Sequence, residues 1–245
     1  MANAKEDFKK SSEELPRTSY QVGFWSALLT AVITVVTFGF AITAVPISGA
    51  NCVEGCIAYP YLNTAAQFPK DFRWMLLALL MLLAYLVFMV SIHALAPRQK
   101  KIFGQIGLTF GIIAAIILLV DYFLQFSVVP ISLISGETEG ITLLTQYNAH
   151  GIFIALEELG YLVMSLSFLF TALSLARASR LEKAAWWVFV IGFAMSFISL
   201  IIFAAIFGID RQDRFELLII SIDWLVLIVN GILLSLVYKK QLRAD

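Results

Sequence analysis

Apolar residues fill this chain in long runs, and short polar stretches separate them. Six runs stand out, over 21–44, 72–95, 102–129, 151–176, 184–208 and 215–238. Each exceeds the roughly 20 apolar residues that a helix needs to cross a hydrocarbon layer. The pattern predicts an all-α, polytopic integral membrane protein. Its six-helix transmembrane domain spans 21–238, with a polar tail over 1–20 and a second over 239–245. All six prolines, at 16, 46, 60, 69, 97 and 130, fall between the runs or at their edges. Proline breaks helix interiors, so this placement agrees with the assignment and argues against proline-broken helices. The first run exceeds a signal-peptide core and reads as a retained signal-anchor helix. The two three-helix halves show no residue match, so no repeat is expected.

Basic residues orient the bundle. Thirteen of the 17 Lys and Arg residues fall in the two tails and in the connections after the second and fourth spans. The other side holds only Lys70, Arg73, Arg211 and Arg214. By the positive-inside rule both termini are cytoplasmic, with the plasma (inner) membrane the expected location. Tyr20, Trp25, Trp186, Trp187 and Tyr238 are expected at the inner interface, and Trp74 and Trp224 toward the outer one.

Composition narrows the function. The chain is 60% hydrophobic and 14% charged, against about 25% charged in soluble domains. Net charge is zero, which removes the basic field that nucleic-acid binding needs. No phosphate-loop, dinucleotide-binding or zinc-protease motif occurs, and no Ser or Cys nucleophile motif. The only cysteines, Cys52 and Cys56, face the oxidising side in this topology and are a candidate disulfide; free thiols are the alternative. The outer stretch 131–150 carries Glu137, Glu139, Tyr147, Asn148 and His150 without Lys or Arg. It reads as an acidic loop that attracts cations.

Four acids lie inside predicted spans: Asp121, Glu157, Glu158 and Asp223. A charge at mid-bilayer costs about 2.5–3.5 kcal/mol on insertion scales, and no Lys or Arg lies well inside a span to offset it. Asp121, Glu157 and Asp223 each sit seven residues from the predicted outer end of their span, counting the sixth span from Glu216. At 1.5 Å per residue they share a level about 10 Å deep. Gln125, Tyr161 and Asn230 follow at spacings of four, four and seven, which keep residues on one helical face. Glu157 and Glu158 differ by about 100° in direction, so they can face two neighbouring helices, or one can face the centre while the other hydrogen-bonds sideways. Ser26, Thr30, Thr34 and Thr37 form a polar stripe, and Gly104, Gly107 and Gly111 a small-residue stripe, both read as helix-packing surfaces. Arg73 is expected to snorkel toward solvent.

Three functions fit these residues. The first is an acidic pocket, built by the third, fourth and sixth spans, that binds a proton, cation or cationic small molecule for transport. Asp121, Gln125, Glu157, Glu158, Tyr161, Asp223 and Asn230 are its candidates. The second is a metal-assisted membrane hydrolase. There His150, Glu157, Asp121 and Asp223 would hold a divalent ion, with Mg, Mn or Ca favoured over Zn for an oxygen-rich site. His93 lies near the opposite end of its span, so one site cannot use both histidines. The third is a nonenzymatic membrane subunit with structural carboxyls. The expected partners are the lipid bilayer and a small cationic solute, with no nucleic acid; a homo-oligomer is compatible with the pattern.

Overall fold

A computed structural model describes residues 15–43 and 47–244. Most of the polar tail, with Lys5, Lys9 and Lys10, lies outside the described residues, as do Ala44, Pro46 and Asp245. Among the described residues the regular elements are all helical. Six are long: α1 (Arg17–Ile42), α2 (Arg73–Leu95), α3 (Lys101–Ser127), α6 (Ile152–Ser174), α7 (Arg180–Phe207) and α8 (Gln212–Leu242). Two are short, α4 (Val129–Ile134) and α5 (Ile141–Leu144). All six long helices are long and apolar enough to cross a membrane, an architecture compatible with a multi-pass membrane protein.

Helix ends differ from the apolar runs where local chemistry extends them. α7 starts at Arg180 rather than 184, because Ser179 and Glu182 close a capping box. The Ser179 hydroxyl accepts from the Glu182 amide at 3.2 Å, and the Glu182 carboxylate accepts from the Ser179 amide at 2.8 Å. α1 starts at Arg17, directly after Pro16, and α8 continues through Lys239 and Lys240 to Leu242. Both predicted tails therefore lose residues to helix. The stretch 131–150 is also more ordered than an acidic loop, since it carries part of α4 and all of α5.

The helices pack as a closed ring, in the order α1, α2, α3, α6, α7, α8 and back to α1, with α6 also touching α8. Lipid tails are as apolar as leucine, so close packing and hydrogen bonds must hold such a ring together in a bilayer. The small-residue stripe of α3 serves this end. A Cβ at Gly107 would lie 2.8 Å from Thr171 Oγ1 and 3.0 Å from the Thr171 amide nitrogen of α6. Gly231 plays the same part where α8 crosses α1, with Ala27 O 2.7 Å from its would-be Cβ. The polar stripe of α1 is buried. Thr30, Thr34 and Thr37 donate to carbonyls one turn back, and Ser26 meets Ser91 of α2 at 3.4 Å. Those hydroxyls are satisfied within the helix and leave methyl groups for packing.

The outward faces are strongly apolar. α7 exposes Trp187, Ile191, Met195, Ile198, Ile202 and Ile206 along one side. So large a patch on a water-soluble monomer would drive association, whereas a bilayer would cover it. Two aromatic residues expected at interfaces are instead in the core. Tyr238 is buried against Gly23, and Trp224 is fully enclosed beside Phe38 and Trp74. Both have helical neighbours on the ring's inner side, which a residue's distance from the helix end does not reveal.

Candidate functional site

The connections that join α1 to α2, α3 to α6 and α7 to α8 gather at one end of the ring. Tyr147 donates to Asp71 at 3.1 Å, Thr142 donates to the Pro60 carbonyl at 3.3 Å, and the Ala50 amide donates to Asp213. Cys52 and Cys56 are disulfide-bonded in the first of these connections. Burial and the neighbouring Asp71 carboxylate push the Tyr147 hydroxyl well above its ordinary pKa. Gln125 ties the second connection down: its amide donates to the Leu144 carbonyl, and its oxygen accepts from the Gln146 amide at 2.9 Å. Gln125 thus clamps a loop and has little capacity left for a ligand.

Beneath these connections three helices bring carboxyls together. α3 carries Asp121, α6 carries Glu157 and α8 carries Glu216; the three are mutual electrostatic neighbours. All are buried, Glu157 completely. Neither Glu157 oxygen meets a donor in good hydrogen-bond geometry, nor does Asp121 Oδ2. Glu216 and Tyr122 are the polar side chains next to Glu157. Among the described residues the charges that act on these three carboxyls are acidic, and no Lys or Arg forms an ion pair with them.

An arginine does reach the adjacent Glu158. Arg211, in the α7–α8 turn, donates through Nη1 to both Glu158 oxygens, at 2.8 and 2.7 Å. Its guanidinium also lies over the Phe215 ring at 5.6 Å. No Lys or Arg lies inside the apolar runs, yet one reaches a buried acid from outside them. Arg211 sits just outside the sixth apolar run and reaches α6 from the turn. Arg73 is exposed and takes no such part.

Asp223 is not level with Glu157. Ser165, eight residues further along α6 than Glu157, lies 2.8 Å from Asp223 Oδ1 and 2.8 Å from Ser196 Oγ of α7. Ser196 Oγ lies 3.4 Å from the same carboxyl oxygen, so both hydroxyls face Asp223. The expected shared level fails because α8 begins at Gln212 with Asp213 as the acid of its first turn, which places Glu216 on the second turn and Asp223 about two turns deeper still. Between the two layers lies an aromatic chain. Trp224 Nε1 donates to the Tyr161 hydroxyl at 2.9 Å, and Tyr161 meets Tyr122 at 2.8 Å. Tyr122 in turn neighbours Glu157. Asn230 is buried another two turns along α8, with neither amide atom hydrogen-bonded.

The metal set does not assemble. Among the described residues no three His, Cys, Asp or Glu side chains form a group able to hold a metal ion. His150 is exposed at the start of α6, with its amide bound to Asn148 Oδ1 at 3.0 Å, while Asp223 belongs to the deeper layer.

A cavity of about 440 Å³ opens beside the carboxyl cluster. Its wall comes from α1, α2, α6 and α8 and from the connections, not from the third, fourth and sixth spans alone. Asp71, Asp213 and Glu216 supply acid, and Phe38, Trp74 and Trp224 supply rings. No Lys, Arg or His lines it among the described residues. Glu216 belongs to both cavity and cluster and so joins them. Sequence reasoning used Glu216 only as an entry marker. Its spacing of seven from Asp223 places both on one face and could have revealed it.

No family model, curated protein or solved structure matches the chain. The fold therefore defines a class, an all-helical protein with six helices suited to a membrane, and the function rests on the site.

Proposed function

We propose that this is an integral membrane protein, with both termini cytoplasmic, whose acidic site near the outer end binds a proton or cation as a step in transport. The observation that carries the reading is the convergence of Asp121, Glu157 and Glu216 from three helices, with no basic partner, next to an acid-lined cavity. Buried ionisable groups of this kind within membrane helices mark ion and substrate paths. The basic bias of the opposite end supports the orientation, which would open the cavity outward. The asymmetry between Glu157 and Glu158 also fits. Glu158 is bound to Arg211 and structural, while Glu157 keeps two oxygens without a well-placed donor.

Proteoliposomes loaded with a pH-sensitive dye test the reading. Under a potassium diffusion potential, wild-type protein should move protons, or give a carboxyl infrared change on addition of sodium or calcium chloride. Glu157→Gln should abolish the response and Glu158→Gln should retain most of it. A wild-type protein inert to pH and to both salts would count decisively against it.

A further inference from the structure

The cavity selects one kind of cation. We infer that it seats an organic cation with an apolar or aromatic body, such as a quaternary amine, rather than a bare metal ion. This inference rests on the acidic-site reading above and names its ligand class.

A small inorganic cation needs about six or more oxygens in a tight shell. The cavity wall does not offer them. Asp71 already accepts from the Tyr147 hydroxyl, and Asp213 accepts from the Ala50 amide. Glu216 is the remaining acid of the wall, more than nine-tenths buried, and its nearest polar neighbour is another carboxyl, Glu157. Among the described residues no Lys or Arg forms an ion pair with it. A single positive charge entering the cavity would supply what this corner lacks.

The rest of the wall suits the remainder of such a ligand. Trp224 stands edge-on to Phe38 at 5.6 Å and to Trp74 at 6.1 Å, forming an aromatic corner. Ring faces attract cations and hold them without hydrating them, most strongly for quaternary ammonium groups. Ile154, Leu217 and Ile220 extend the apolar surface. The volume of about 440 Å³ falls within the range of small-molecule sites, about 300–1,000 Å³, and far exceeds what a metal ion fills. With no Lys, Arg or His in the described wall, nothing there repels a cation.

Equilibrium binding of tritiated benzyltrimethylammonium to the full chain in nanodiscs tests this. Neopentylbenzene, its neutral isostere, serves as competitor. Wild-type protein should bind the cation saturably, and neopentylbenzene should not displace it at equal concentration. Glu216→Gln and Trp74→Leu should each weaken binding by about tenfold or more. Trp74 is only partly buried, so its variant tests the site if the Glu216 variant does not fold. Absence of saturable binding, equal displacement by the neutral isostere, or unchanged affinity in the folded variants would overturn the inference. Proton movement that depends on Glu157, without cation binding, would overturn the organic-cation class and leave the acidic site standing. Loss of both would remove the site itself.

Discussion

Removing Arg211 should hurt the protein more than removing the charge it serves. In Arg211→Ala the Glu158 carboxylate stays on α6, with its side chain only 8% exposed, and loses both of its hydrogen bonds. Breaking a fully buried pair in this way costs about 3–5 kcal/mol. The Arg211 side chain is 27% exposed, so water already shares part of the load, and a cost of about 2–3 kcal/mol is expected. Glu158→Gln leaves a neutral acceptor beside a guanidinium that can turn toward solvent, and should cost about 1 kcal/mol or less. The double variant removes the stranded charge. Its cost should fall below the sum of the two single costs by about 1–2 kcal/mol. Thermal unfolding in nanodiscs, followed by near-ultraviolet circular dichroism, reads the series. At about 2–4 °C per kcal/mol, Arg211→Ala should melt about 4–12 °C below wild type. Packing of the guanidinium on Phe215 is absent from both arginine variants alike, so it cancels in the cycle. Equal costs for the two single variants, or strict additivity in the double, would refute a pair held together by the burial of Glu158.

Close packing of α3 on α6 predicts that Gly107→Leu loses about 1–3 kcal/mol by thermal unfolding, because backbone as well as side chain meets the added Cβ. Gly39→Leu, with nothing within 4 Å of its Cβ, should be neutral or slightly stabilising in the same assay. Tyr147→Phe should cost about 1 kcal/mol at neutral pH and speed proteolysis of the α3–α6 connection. The raised hydroxyl pKa means the fold favours the neutral phenol. Its contribution is therefore full below about pH 10 and declines as pH rises beyond, where the unfolded chain gives up the proton first. Wild-type stability should accordingly fall more steeply than that of Tyr147→Phe in alkaline titration. Elemental analysis of purified protein should find no stoichiometric Mg, Mn, Ca or Zn, since no group of ligands assembles among the described residues; near-stoichiometric metal that disappears in Asp121→Asn would overturn that expectation.

The six long apolar helices were legible because their signal is length and apolarity, the properties that crossing a hydrocarbon layer would demand. Glu157, Asp121 and Asp223 were also visible, since a carboxyl in an apolar run is conspicuous. The partners they meet were not. Arg211 lies in a turn whose fold decides where its long side chain goes, and no spacing rule couples it to a residue 53 positions earlier. Glu216 looked like a boundary because polar letters end an apolar run, although a helix can begin before that run does. Tyr122 carries no signal in the sequence and Trp224 reads as an interface aromatic, whereas helix packing brings Tyr161 to both. The cavity was the least legible feature. Its wall combines four helices with two connections, and only the assembled ring shows that Glu216 faces both the cavity and Glu157.

Asp223 acts as an indexing pin for the bundle. Advancing α8 by one residue would lift the carboxyl about 1.5 Å and swing it about 100°. It would leave the Ser165 and Ser196 hydroxyls that now face it. Motions that slide α8 against α6 and α7 are thus penalised at the outset, and these three helices are keyed to one another. Any gating of the cavity must then come from its rim, where the 47–51 and 146–149 segments rest on a few hydrogen bonds.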